Sequence, residues 1–153
     1  MEPFATAFVD RLQELISSFQ QTLSDVPAEA LDWSPGPELN SLAVLATHSA
    51  AATRYLIGDM VGGVPSGRVR DAEFQTVGID AAVLRQRLSD AAAIAEEIVA
   101  GLSITDLGSE RFSPQHNRHF TVAWCMFHTL DHLAEHLGHA QMTRLLWEQR
   151  AGK

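Results

Sequence analysis

The chain has a single cysteine, Cys125, among its 153 residues, so no internal disulfide can brace the fold. A lone thiol agrees with a reducing compartment. No uninterrupted apolar run approaches the roughly eighteen residues of a membrane helix, so no membrane association is expected. The opening residues, Met1-Glu2-Pro3-Phe4, lack the basic-then-apolar layout of a secretory signal, and a cytoplasmic protein is expected. Basic residues are scarce: 11 Lys and Arg stand against 19 Asp and Glu, for a net charge of −8. A surface of that sign repels phosphate backbones, so no nucleic acid partner is expected. Alternating strand patterns, low-complexity tracts and internal repeats are all missing.

What is present is helical periodicity in a chain that is 46% hydrophobic, enough for one sizeable core, and a single domain over residues 1–153 is expected. Phe4, Phe8, Leu12, Leu15, Ile16, Phe19 and Leu23 recur at steps of three and four, one apolar face of a first helix. Pro27, Pro35, Gly36 and Pro37 then mark a linker. A second helix begins at Asn40 or Ser41, either of which can cap it, and carries Leu42, Leu45, Ala52, Tyr55 and Leu56. Residues 62–77 read as a loop. Asp80 is a plausible N-cap for a third helix bearing Val83, Leu84, Leu88, Ala91, Ala95, Ile98 and Val99. After a connection through "SITDLGSERFSPQHNRHF", a last helix runs from about Thr121 to Glu148. Four long amphipathic helices in one small domain predict an all-α four-helix bundle.

The last helix contains "HTLDHLAEHLGH", which holds four of the seven histidines. At ~100° per residue, with His128 at zero, His139, His132 and His136 fall at roughly 20°, 40° and 80°. They form one stripe beside the apolar face of Leu130, Leu133, Leu137 and Ala140. His128 and His136 are about 12 Å apart in rise, too far to share an ion, whereas neighbours at i, i+4 can chelate. Spacing leaves two pairs open, His128/His132 and His132/His136. A third ligand must come from elsewhere, and His48 is the candidate. It shares a helix face with Leu45, Ala52 and Tyr55, and "ATHSAAAT" leaves room for helices to approach. Three imidazoles converging inside a bundle make a metal site with open positions. Two plainer readings stand beside it: a pH-responsive histidine stripe, and a core histidine satisfied by hydrogen bonds. "HLAEH" also matches the inverted zinc-peptidase pattern, with Glu135 as base, but no strand is expected to hold an extended peptide.

Two stretches carry a family resemblance. "WSPGPELNSLAVLATH", Trp33 to His48, resembles the lead into the second helix of the DinB/YfiT-like metal-binding proteins. "HTLDHLAEHLGHAQMTRLLW", His128 to Trp147, is similar to that family's last helix, a His-x3-His pair followed by x-Gly-x. The resemblance implies a four-helix bundle with DinB/YfiT-like connectivity, often homodimeric. It carries the metal triad onto His48, His132 and His136 and leaves His128 outside. It further implies a metal-dependent enzyme with a divalent ion, zinc or nickel, and a small-molecule substrate. The implied chemistry is a thiol-dependent S-transferase reaction or a relative of it, with a low-molecular-weight thiol as cosubstrate. Mycothiol-linked members tend to carry Glu where this chain has His132, although "GHA" at 138–140 resembles them. A bundle that binds metal or a small ligand as a stress or sensor protein, without catalysis, is the alternative. Arg54, Arg68, Arg70, Arg111 and Arg118 are candidates to bind a carboxylate-bearing thiol, and Tyr55, His116 and His119 are weaker candidates for substrate contact. The stripe also passes Cys125, where packing is the expected role.

Overall fold

The computed structural model describes residues 1–151. Four helices form the bundle: α1 (Pro3–Thr22), α3 (Leu42–Thr53), α5 (Ala81–Ala100) and α6 (Val122–Ala151). Two short helices, α2 (Ala28–Asp32) and α4 (Arg70–Glu73), lie in the long connections, and a 3-10 turn spans Ile104–Gly108. The chain after α3 keeps turning as a π-helix over Arg54–Val61. Such widened turns are frequent at functional sites. Among the described residues, no helix is long and apolar enough to cross a membrane.

α3 and α1 each pack on both α5 and α6, so α1 and α3 occupy one diagonal of the bundle. Side-chain contacts fix the directions. Gln20 of α1 reaches Arg85 and Ser89 of α5, and Gln13 reaches Glu96, so these helices are antiparallel. His48 of α3 meets His132 of α6, while Tyr55 meets the segment just before α6, so these are antiparallel too. The connection from α1 to α3 therefore crosses the diagonal at one end. There Trp33 packs on Trp147 of α6 with ring centroids 5.6 Å apart. Arg144 of α6 donates to the carbonyls of Gln21, Thr22 and Ser24, tying the end of α1 to α6.

The connection from α3 to α5 has a different task. Thr47 faces Arg87 and Gly62 abuts Ile98, so α3 and α5 run parallel. Residues 62–80 must return the length of the bundle, and α4 lies on this return, packed against α3. The expected loop at 62–77 is thus in part a helix with a buried residue, Glu73.

α3 explains its own placement. Leu42–Ala46, His48–Ala50, Ala52 and Thr53 are all buried, so the helix is enclosed nearly all round. A run this rich in alanine lets neighbours close in. Ser41 is the cap: its hydroxyl accepts from the backbone N–H of Val44 at 3.2 Å. Phe19, Leu12, Leu23, Leu42, Ile57, Leu84, Leu88 and Leu133 are among the large, fully buried side chains of the core.

One local expectation is corrected. The connection before α6 contains two strands, β1 (Glu110–Ser113) and β2 (Arg118–Thr121), paired antiparallel with Arg111 opposite Phe120. Its turn uses Asn117 at φ 49°, a left-handed position that asparagine tolerates. Four residues per strand are too few to print an alternating pattern.

Candidate metal centre

His48 is buried in the middle of α3 with its Nε2 3.0 Å from the Nε2 of His132. One turn along α6, the Nε2 of His136 lies 3.1 Å from the same atom. The three ligand-capable nitrogens all fall within 4.8 Å of one another. Of the two i, i+4 pairs that spacing left open, His48 faces His132/His136. His128 instead stacks on Trp124, at 4.4 Å between centroids, and its ring is 5.8 Å from that of His132. His139 is exposed beside His136. Glu135 is exposed as well.

The opposite edge of the His48 ring is held by a residue that sequence reasoning missed. Glu73 accepts from Nδ1 of His48 at 2.6 Å. The same carboxylate accepts two bonds from Arg68, Nε to Oε1 at 2.5 Å and Nη2 to Oε2 at 2.9 Å. Burial pushes the Glu73 carboxyl up, yet the bonds from Arg68 and His48 outweigh it and hold the group below its usual range. Phe74, the next residue, lays its ring 5.0 Å from that of His48. No sequence signal marks Glu73, because an acidic residue in a connecting segment looks like any solvated one.

An ionised Glu73 can only accept, so Nδ1 of His48 carries the hydrogen, and a neutral His48 presents a bare Nε2 to its neighbours. Each imidazole Nε2 offers either one N–H or one lone pair. His132 faces two such nitrogens, so at most one hydrogen is shared between the two contacts. Nδ1 of His136 is buried without a hydrogen-bond partner among the described residues. Desolvation, then repulsion from His136 and His48, holds the His132 pKa down at about 3. Desolvation and His48 likewise hold His136 at about 4. Both rings are therefore neutral near pH 7, the state that coordinates cations.

The other candidates are engaged elsewhere. Arg54 bonds Asp59 and the carbonyl of Val64, Arg70 lies over Phe74, Arg118 lies over Phe120, and Arg111 bonds the carbonyl of Glu110. Tyr55 shares a hydrogen bond with Ser113, which also bonds His116. His119 packs on Phe112. Cys125 is fully buried, and desolvation raises its thiol to about 11, in keeping with a packing role. A cavity of about 270 Å³ beside His136 is walled mainly by Leu39, Leu45, His139, Met142 and Leu146.

Known proteins share the fold that carries this site. YfiT from Bacillus subtilis, described as a probable metal-dependent hydrolase with an unusual four-helix bundle topology, superposes with a TM-score of 0.77 at 12% identity, covering 99% of this chain and 90% of that one. A conserved protein from Enterococcus faecalis gives 0.76 at 14% identity, covering 94% and 96%. A mycothiol-dependent maleylpyruvate isomerase gives 0.66 at 16% identity, covering 92% of this chain but 63% of that one. These likenesses are of fold, and they share the DinB/YfiT-like connectivity of the bundle. No match was found among curated proteins. The DinB superfamily profile matches residues 11–140, from midway along α1 through all three clustered histidines, and the chain belongs to the DinB superfamily.

Proposed function

We propose that His48, His132 and His136 hold one divalent ion, zinc or nickel, and that the protein is a metal-dependent enzyme acting on a small molecule with a low-molecular-weight thiol. The observation that carries the metal is the convergence of three Nε2 atoms, two contacts of which lie at 3.0 and 3.1 Å. No assignment of neutral tautomers gives each contact a hydrogen of its own, whereas a cation accepts three lone pairs at once. Three neutral imidazoles suit zinc or nickel and leave coordination positions free. A divalent ion there supplies the positive charge that favours thiolate over thiol near neutral pH.

The chain's own residues do the rest. Glu73, itself bonded by Arg68, accepts from His48 on the side away from the cluster. The apolar cleft beside His136 offers Leu39, Met142 and Leu146 to the hydrocarbon part of a substrate. The likeness of fold to a mycothiol-dependent isomerase supports thiol chemistry, and the probable hydrolase YfiT supports the metal. Turnover of a panel of small electrophiles by zinc- or nickel-loaded protein, with bacillithiol, mycothiol or glutathione, is the test. Thiol-dependent product formation that His132→Ala abolishes supports the reading. Product formed at the same rate without thiol points to hydrolysis, and no turnover at all favours a binding bundle.

A further inference from the structure

A three-histidine centre needs only its ligands, yet this chain buries an acid–base pair behind one of them. Glu73 is 5% exposed and Arg68 is 10% exposed at its side chain. A buried ion pair is a poor source of stability, because apolar side chains of similar volume pack there at less cost. We infer that Glu73, clamped by Arg68, is a positioning residue that fixes His48 as the Nδ1–H tautomer and aims its Nε2 lone pair at His132 and His136. The inference rests on the reading of these histidines as metal ligands.

The geometry supports each step. Arg68 donates to both oxygens of Glu73, so the carboxyl group faces His48 as an acceptor. One oxygen takes the Nδ1 hydrogen of His48 at 2.6 Å. Arg68 is itself steadied against the ring of Tyr55, 5.4 Å from its centroid. The backbone carbonyl of Glu73 accepts from the hydroxyl of Thr76 at 2.6 Å. Phe74 lies against the same imidazole, its ring tilted by 39° with centroids 5.0 Å apart. The return segment from α3 to α5 thus contacts His48 through both Glu73 and Phe74. Without the carboxylate, the Nε2–H tautomer becomes available and points a hydrogen into the centre, where a cation needs a lone pair. Outer partners of this kind commonly change metal affinity about 10- to 100-fold.

The test uses full-length protein carrying Glu73→Gln, and Arg68→Met with Glu73→Gln. The double variant keeps volume and removes both charges, so a folding defect from an unpaired buried charge is avoided. Two quantities are read: zinc and nickel affinity against a competing chelator, and the ¹⁵N shifts of the His48 ring in metal-free protein. We expect the double variant to melt near the wild type when metal-free, to bind both ions about 10- to 100-fold more weakly, and to show mixed His48 tautomers. Wild-type affinity with a single retained tautomer in the double variant would overturn the inference. If the wild type binds neither ion, or His48→Ala binds as tightly as wild type, the metal reading fails instead. The tautomer measurement in metal-free protein still decides the role of Glu73 in that event.

Discussion

The Nε2 of His132 stands 3.0 Å from that of His48, a residue 84 positions away, and 3.1 Å from that of His136, its neighbour one turn on. His132 is the shared member of both contacts. Replacing His132 with Ala should weaken zinc or nickel binding by more than the roughly 10- to 100-fold typical of an outer partner. Replacing His128 or His139 should change it little, because neither ring joins the cluster. A chelator titration of the three variants checks this. Equal losses in all three would reject a single defined site.

The metal-free protein should lose stability in mild acid. His132 and His136 are held at about 3 and about 4, against ~6.5 in an unfolded chain. Between those values the unfolded state binds more protons, so stability rises with pH. It is whole above about pH 6.5 and is lost as pH falls toward the folded values. Urea midpoints of the chelator-treated protein from about pH 7.5 to 4.5 measure the slope. His132→Gln should flatten it, and a variant as steep as the wild type would contradict the assignment.

Leu133 is fully buried between two of the candidate ligands in sequence but on the core face of α6. Leu133→Ala should cost about 2–5 kcal/mol through the cavity it leaves. Denaturant unfolding of metal-free protein gives this value. A cost under about 1 kcal/mol would mean the site is less tightly packed than described.

Gly62 sits where the π-helix passes α5. A Cβ there would meet Cδ1 of Ile98 at 2.4 Å and the carbonyl of Gly58 at 3.0 Å. Gly62→Ala should therefore destabilise by about 1–3 kcal/mol through overpacking. Gly63→Ala is strained for another reason, its φ of +65°. Melting of Gly62→Ala combined with Ile98→Val separates the two: partial recovery identifies the clash.

Cys125 should resist thiol reagents in the folded protein, since its thiol is buried and raised to about 11. Labelling should proceed only after unfolding, and Cys125→Ser should keep the metal. Fast labelling of native protein would reopen a chemical role for this residue.

How much of this was legible in the sequence depends on the residue. The helix bearing the His132/His136 pair shows a 3.6-residue period, and the one bearing His48 shows its Ser41 cap, so both helices could be read directly. Which histidine pair His48 meets depends on how α3 and α6 slide against each other, and a single helix does not record that. Spacing left both pairs open, and only family resemblance favoured one. Glu73 was out of reach for a different reason. Its burial follows from a long return path that packs α4 on α3, while its local sequence, Arg70-Asp71-Ala72-Glu73, looks like a solvated turn. The hairpin at 110–121 is too short for its period to register.

The proposed cation site is built from three histidines on two distant helices. Elemental analysis of untagged protein, purified without chelator, tests it most directly when wild type and His48→Ala are measured side by side. Wild type should carry about one zinc or nickel ion per chain, and the variant almost none. A wild type that binds no divalent ion, or a His48→Ala protein that keeps its full complement, would contradict it.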